Sequence, residues 1–210
     1  PVMIQLGEIY NQIKEFDKAE NIYHTIIHCT IPSLQTYYQL ALTYGNQKKY
    51  MSAILSFQEA LKLNPNDIEI KYQIGVAYKE INAYNNAAKY FEQYLKTNKE
   101  DKIGFSMLGI CYYNIKDYIS ALLAFKKAHE LDSDDYKVLY NIGKCYLALK
   151  ESEDAALYLR KALKINQEDP EIYFYLGKSY YKLNKKKKVK ETLDILYMLN
   201  QDLYKKLNLI

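Results

Sequence analysis

Residues 34–67 read LQTYYQLALTYGNQKKYMSAILSFQEALKLNPND, and residues 68–101 read IEIKYQIGVAYKEINAYNNAAKYFEQYLKTNKED. Laid over one another without a gap, they align Ala41 with Gly75, Tyr44 with Tyr78, Ala53 with Ala87 and Phe57 with Phe91. The same 34-residue step runs through the whole chain. Gly7, Gly75, Gly109, Gly143 and Gly177 share one position, with Ala41 in register between the first two. Three residues after each stands a tyrosine: Tyr10, Tyr44, Tyr78, Tyr112, Tyr146 and Tyr180. Small residues follow at Ala19, Ala53, Ala87, Ala121 and Ala155, replaced by Val189 in the last copy, and a bulky one comes four residues later at Tyr23, Phe57, Phe91, Phe125, Leu159 and Leu193. Self-similarity at a fixed period of this length marks a repeat architecture.

Each copy contains two apolar patterns of helical spacing, for example Tyr37, Leu40 and Tyr44 followed by Ala53, Ile54, Phe57, Ala60 and Leu61. Apolar residues at i, i+3, i+4 and i+7 put one face of a helix toward a core, so each copy is predicted to be a helical hairpin. Polar breaks such as Asn46-Gln47-Lys48-Lys49 and Asn114-Ile115-Lys116-Asp117 separate its two helices, and Asn64-Pro65-Asn66-Asp67 closes one copy and caps the next. A glycine inside a helix costs about 1 kcal/mol relative to alanine. Its recurrence at one position therefore predicts a close contact between the two helices of each hairpin. A single hairpin cannot cover its own apolar faces, whereas stacked hairpins share one core.

The pattern of a large residue, Leu-Gly, Tyr, Ala, an aromatic and Pro resembles the tetratricopeptide repeat family; the second copy shows it as Tyr37, Leu40-Ala41, Tyr44, Ala53, Phe57, Ala60 and Pro65. The resemblance covers essentially the whole chain, with gapless copies at 34–67, 68–101, 102–135, 136–169 and 170–203 and a copy lacking its first residue at 1–33. It departs from the family in two ways. No Trp fills the first aromatic slot (Met3, Tyr37, Lys71, Phe105, Leu139, Tyr173), and the late Pro is in register only once. The last copy also opens its second helix with Lys186, inside the run Lys185–Lys190, where four earlier copies have Phe16, Tyr50, Tyr84 and Tyr118. A further helix is predicted over Asp202–Leu207, so that 204–210 ends a capping helix or starts a truncated seventh repeat, with the cap favoured. The resemblance implies an all-α, right-handed superhelical solenoid of six antiparallel helix pairs.

Composition narrows the function. With 7 Gly and 4 Pro in 210 residues there is too little punctuation for an all-β fold, and 49% apolar with 26% charged residues is an ordinary globular balance. No apolar run is long enough to span a membrane. The sequence starts Pro1-Val2-Met3, without an initiator Met, so a fragment or processed product is expected; a cytoplasmic location is slightly favoured, with a cell-envelope one open if a leader was removed upstream. Cys29, Cys111 and Cys145 are odd in number and lack CxxC spacing, which speaks against a disulfide framework or a cysteine zinc site. His24 and His28 stand at i, i+4 without an intervening Glu or an evident third ligand, so no metal is expected. The glycines lie singly within helices, so a phosphate-cradling loop is absent and no cofactor or catalytic residue is assigned. Residues 1–101 carry 10 basic and 11 acidic side chains against 19 and 14 in 102–210, an excess that is essentially the 185–190 run. With Arg160 the single arginine, nucleic acid is not an expected partner.

What remains is surface. By resemblance, one slot of the first helices points into a concave groove and holds Ile4, Tyr38, Tyr72, Ser106, Tyr140 and Phe174; the slot one turn on holds Glu8, Leu42, Val76, Ile110, Lys144 and Lys178. The three consecutive aliphatics are expected to lie outside the hairpin core and, with Tyr38, Tyr72 and Tyr113, to floor a groove that then turns basic at Lys137, Lys144, Lys178 and Lys182, with Tyr181 alongside. The Lys and Asn side chains with which co-chaperone members of the family hold a chain-terminal carboxylate are missing from the matching positions. The expected function is a non-catalytic scaffold taking a partner protein's peptide or helix, with apolar residues over Leu42, Val76 and Ile110 and an acidic end on the lysines. Two alternatives stand beside it: the recognition region of a larger enzyme or signalling protein, and a scaffold that associates with itself as a homo-oligomer.

Overall fold

A computed structural model describes residues 2–209, which form thirteen α-helices and no strand. They fall into two compact units, residues 1–99 and 100–210. The first contains α1 (Val2–Gln12), α2 (Phe16–Cys29), α3 (Leu34–Asn46), α4 (Tyr50–Leu63), α5 (Ile68–Glu80) and α6 (Tyr84–Leu95). The second contains α7 (Lys102–Asn114), α8 (Tyr118–Leu131), α9 (Tyr136–Ala148), α10 (Ser152–Ile165), α11 (Pro170–Lys182), α12 (Lys186–Leu199) and α13 (Gln201–Asn208). Within each unit every helix packs on its neighbours in the chain, and α1 also touches α3, as α9 touches α11. The fold class is that of an all-α solenoid of stacked hairpins.

The two helices of a repeat begin in different ways. First helices are capped by side chains recurring every 34 residues: Ser33, Asp67, Asp101, Asp135 and Asp169 each accept a backbone N–H of the following turn. This satisfies donors that a helix start leaves unpaired. Second helices are entered through a left-handed residue instead, at Lys14, Lys48, Asn82, Lys116, Lys150 and Asn184. The next residue then donates its N–H to the carbonyl of the repeat tyrosine, as Lys49 does to Tyr44 at 2.8 Å and Asp117 to Tyr112 at 3.0 Å. This is a Schellman closure, which normally favours glycine at the left-handed position. Four of the six positions here carry lysine, so the tight turn is held against the backbone preference of its own residue.

The repeat glycines make room for rings. A Cβ on Gly75 would lie 3.1 Å from the Phe91 ring and one on Gly109 2.8 Å from that of Phe125. Both rings are fully buried, as are Ala19, Ala87, Ala121 and Ala155 at the adjoining position. The expected close contact within the hairpins is thus a side chain of the second helix lying on bare backbone of the first. The last repeat differs, because Gly177 is covered by Leu207 of α13. Asn200 serves both as the end of α12 and as the cap of α13, accepting from the Leu203 N–H. As a result α13 begins three residues ahead of position 204, where the 34-residue period would open another first helix. Leu203 and Leu207 are buried with Leu196 against Tyr173 and Phe174.

Candidate functional site

Of the first-helix residues that the sequence singles out, Leu42 and Val76 line one depression in the first unit, and Tyr113, Lys144, Lys178 and Lys182 line another in the second. In the first unit, Leu42 of α3 and Val76 of α5 line an open depression of ≈ 290 Å³ together with Tyr50, Phe57, Gln73 and Glu80. Leu42 is half-buried and packs on the Ala41–Phe57–Ile74 core, as do Tyr38 and Tyr44. Tyr38 meets Phe57 edge-on at 5.6 Å, and Tyr72 meets Phe91 in the same way at 5.6 Å. These two tyrosines therefore brace the rings that fill the hairpins while part of each remains accessible. Burial raises the Tyr38 hydroxyl above the ordinary phenol range, helped by Glu69 and Asp67, so it stays a neutral donor.

In the second unit the slot of Leu42 and Val76 holds Ile110 on α7 and then lysines on α9 and α11. The Lys144 ammonium of α9 lies over three tyrosine rings, 4.6 Å from Tyr113, 5.1 Å from Tyr140 and 5.4 Å from Tyr175. Lys178, one repeat on, lies over Phe174 at 5.4 Å and Tyr175 at 5.6 Å. Tyr113, Lys144, Leu147, Ala148, Tyr175, Lys178 and Lys182 line an open depression of ≈ 280 Å³. Burial pulls Lys144 below the ordinary lysine range, opposed by the Glu171 carboxylate. That carboxylate is engaged elsewhere, accepting the Tyr140 hydroxyl at 2.8 Å. Burial and the bond to Glu171 push the Tyr140 hydroxyl far above its usual range, and burial does the same for Tyr113.

Several positions differ from the sequence expectation. The three aliphatics were expected outside the hairpin core, yet Leu42 and Ile110 both pack on it, Ile110 against the Ala121–Phe125–Ile142 cluster. At a close-packed interface an aliphatic at this slot reaches the neighbouring repeat as well as solvent. Phe174 packs on Leu203 and Leu207 of α13, so it bridges the terminal helix and the lysine-lined surface. Tyr181 lines a different depression, between α11 and α12, with Val189, Leu193 and the lysines at 185, 186 and 190. Lys137 lies over Tyr136 at 6.0 Å and is absent from the lysine-lined depression. Tyr175 was missed: its register position holds Gln5, Gln39, Gln73, Met107 and Asn141 in the other copies, and one aromatic in that column was the available signal.

His24, Cys111 and Cys145 are engaged in packing. His24 Nε2 is 2.9 Å from the Tyr44 hydroxyl and lies near Glu20. Cys111 and Cys145 are fully buried, and burial pushes the Cys145 thiol up to about 12. Among the described residues no group of three His, Cys, Asp or Glu could hold a metal ion, and no helix is long and apolar enough to cross a membrane.

Hairpins of this length and register, closed by a bulky side chain over a Gly or Ala of the first helix, define a helical-repeat protein. A sequence profile of the tetratricopeptide repeat matches residues 34–67 and a second one residues 68–101. Residues 34–101 thus carry tetratricopeptide repeats, and the same 34-residue pattern runs through the rest of the chain. A profile described as regulator of microtubule dynamics protein 1-3 matches residues 116–172, out of phase with the repeat unit. No curated protein sequence matches the chain. Among solved structures, the C-terminal part of a TPR repeat-containing protein from Cytophaga hutchinsonii aligns with a TM-score of 0.80 at 18% identity, over 95% of this chain and 83% of that one. YrrB, described as a TPR protein with an unusual peptide-binding site, aligns with a TM-score of 0.77 at 19% identity over 90% and 98%. MamA from Desulfovibrio magneticus aligns with a TM-score of 0.74 at 19% identity over 79% and 94%. At these identities the likeness is one of fold.

Proposed function

We propose that the protein is a non-catalytic scaffold that binds a peptide or helix of a partner protein on the exposed faces of its first helices. The observation that carries this reading is the depression between α3 and α5, where Leu42 and Val76 line an open concavity instead of the polar residues that water favours. Tetratricopeptide repeats as a class serve as interaction scaffolds, and YrrB has a peptide-binding site on the same fold. The groove residues are then Tyr38, Leu42, Tyr72 and Val76 in the first unit, and Ile110, Tyr113, Tyr140, Lys144, Phe174, Lys178 and Lys182 in the second. A partner with apolar residues and an acidic end fits these surfaces by chemistry.

Because Ile110 packs on the core, Val76 is the better probe. Val76→Lys keeps a good helix former on α5, four residues before Glu80, and should abolish partner capture while leaving the melting temperature unchanged. Partner recovery equal to wild type in a crosslinked pull-down would refute the reading.

A second reading, self-association, is favoured by one observation. The outer side of α1 exposes Val2, Leu6 and Ile9, the turn that follows exposes Ile13, and beside Val2 stands Ile31, 95% exposed. These spacings form an apolar stripe on one helix face. If a second copy covers it, light scattering gives a dimer or larger assembly that Ile9→Lys dissolves; a monomer at working concentration removes this reading.

A further inference from the structure

The lysine-lined depression of the second unit has an unusual charge balance. Three lysines, Lys144, Lys178 and Lys182, line it, the ammonium groups of the first two on the shared Tyr175 ring, and among the described residues none has a carboxylate within ion-pair distance. Other lysines do find one: Lys49 pairs with Glu20, Lys102 with Asp132 and Lys127 with Glu130. Lys144 is half-buried, so its charge has lost part of its water, and it receives three ring faces and the field of Glu171 in return but no direct ion pair. Cation–π contacts orient an ammonium but supply no acceptor for its N–H donors. The nearby carboxylate, Glu171, accepts from Tyr140.

Like charges gathered in a partly desolvated hollow repel one another, and an incoming anion there is held more strongly than at an open surface. Beside the lysines, Leu147 and Ala148 supply an apolar wall. The volume, ≈ 280 Å³, matches one or two side chains rather than a cofactor.

We infer that this depression is a subsite for a side-chain carboxylate, an Asp or Glu of a partner segment whose neighbouring apolar residue lies on Leu147 and Ala148. The inference rests on the peptide-binding reading above and adds the chemistry of the bound residue. Lys144, preset by Tyr113, Tyr140 and Tyr175, forms the floor, and Lys178 and Lys182 close on the carboxylate from α11. The first unit has no counterpart, because the same register positions there hold Leu42 and Val76.

The test uses a phage-displayed library of random 12-residue peptides, selected in parallel on the wild-type chain and on Lys144→Met/Lys178→Met/Lys182→Met. Wild-type selection is expected to enrich Asp or Glu beside an apolar residue, and the triple variant to lose that enrichment while still recovering apolar peptides. A synthetic copy of the leading peptide should bind the triple variant at least tenfold more weakly, and its Asp→Asn or Glu→Gln form should lose the same factor on wild type. Lys182 is exposed, so Lys182→Glu gives a packing-neutral check if the triple change disturbs the fold; it should lower affinity severalfold. Equal acidity in the two selected pools overturns the inference while leaving peptide binding intact. Loss of affinity on amidating the peptide C-terminus, without loss on Asp→Asn, overturns the side-chain assignment in favour of a terminal carboxylate. Recovery of no peptide on either protein overturns the peptide-binding reading and this inference with it.

Discussion

One register position distinguishes α3 and α5 of the first unit from α9 and α11 of the second. It carries Leu42 and Val76 on the former pair and Lys144 and Lys178 on the latter, while α7 of the second unit keeps an aliphatic there, Ile110. Underneath, hairpins of both units seat a buried side chain of the second helix on a glycine of the first: Phe91 on Gly75, Phe125 on Gly109 and Leu159 on Gly143, with Ala87, Ala121 and Ala155 buried beside them. The interior of a tetratricopeptide hairpin is therefore set by glycine, alanine and ring positions that repeat, and its surface chemistry by a column free to vary. Fold and function are written in different residues of the same 34.

The largest effect should come from the shared interior. Phe91→Ala and Phe125→Ala each empty a fully buried ring site and should cost about 3–5 kcal/mol. Hydrogen exchange resolved by unit is the suitable readout, since repeat arrays need not unfold as one. Losses that differ strongly between the two would show that the interiors are not equivalent.

Exchange of the variable column comes next. Val76→Lys should weaken partner binding at least tenfold, about 1.4 kcal/mol, with a stability change within about 0.5 kcal/mol. Titration calorimetry beside thermal melts separates the two. A variant that binds as before but melts early would place Val76 in the interior class.

Smaller effects belong to the turns. Lys48→Gly and Lys116→Gly should each add about 0.5–1 kcal/mol by relieving a left-handed lysine, with a smaller gain for Asn82→Gly, because asparagine tolerates that conformation. Equal gains at Lys48 and Lys116 in chemical denaturation would extend the equivalence of the units from core to turn.

The last prediction leaves stability aside. Burial disfavours the charged form of Lys144, so its ammonium should lose its proton at a lower pH than an ordinary lysine. Binding of an acidic peptide stabilises the charged form and should move that titration back up. The side-chain carbon resonances of labelled lysine report both. A Lys144 that titrates as an ordinary lysine and ignores the peptide would argue against the caged geometry.

Helix count, hairpin pairing and the repeat small and bulky positions of the interior were legible, because each depends on residue types that recur from copy to copy. The turns were not: lysine does not announce a left-handed backbone, and only the 34-residue spacing of Lys14, Lys48, Lys116 and Lys150 marks it in hindsight. Nor was the tie between Leu207 and Gly177, since α13 leaves the period by three residues and no repeat logic reaches it. At the surface, the column of Leu42 and Lys144 was readable, but the enclosure of Lys144 depends on Tyr113 and Tyr175, which stand two repeats apart in sequence and meet around one ammonium. Similarly, the anchoring of Ile110 in the core is a packing outcome that a slot assignment does not contain.

The central claim is that partners meet the first helices. A rival surface exists on the second helices, where Met51 and Leu55 of α4 are 56% and 59% exposed and Ile119 and Leu123 of α8 are each 65% exposed. Titrating a selected peptide into isotopically labelled protein and following the amide and methyl resonances decides between them. Perturbations at Leu42, Val76 and Leu147, with Met51, Leu55, Ile119 and Leu123 unmoved, are the predicted result; perturbations confined to those four outer residues would contradict it.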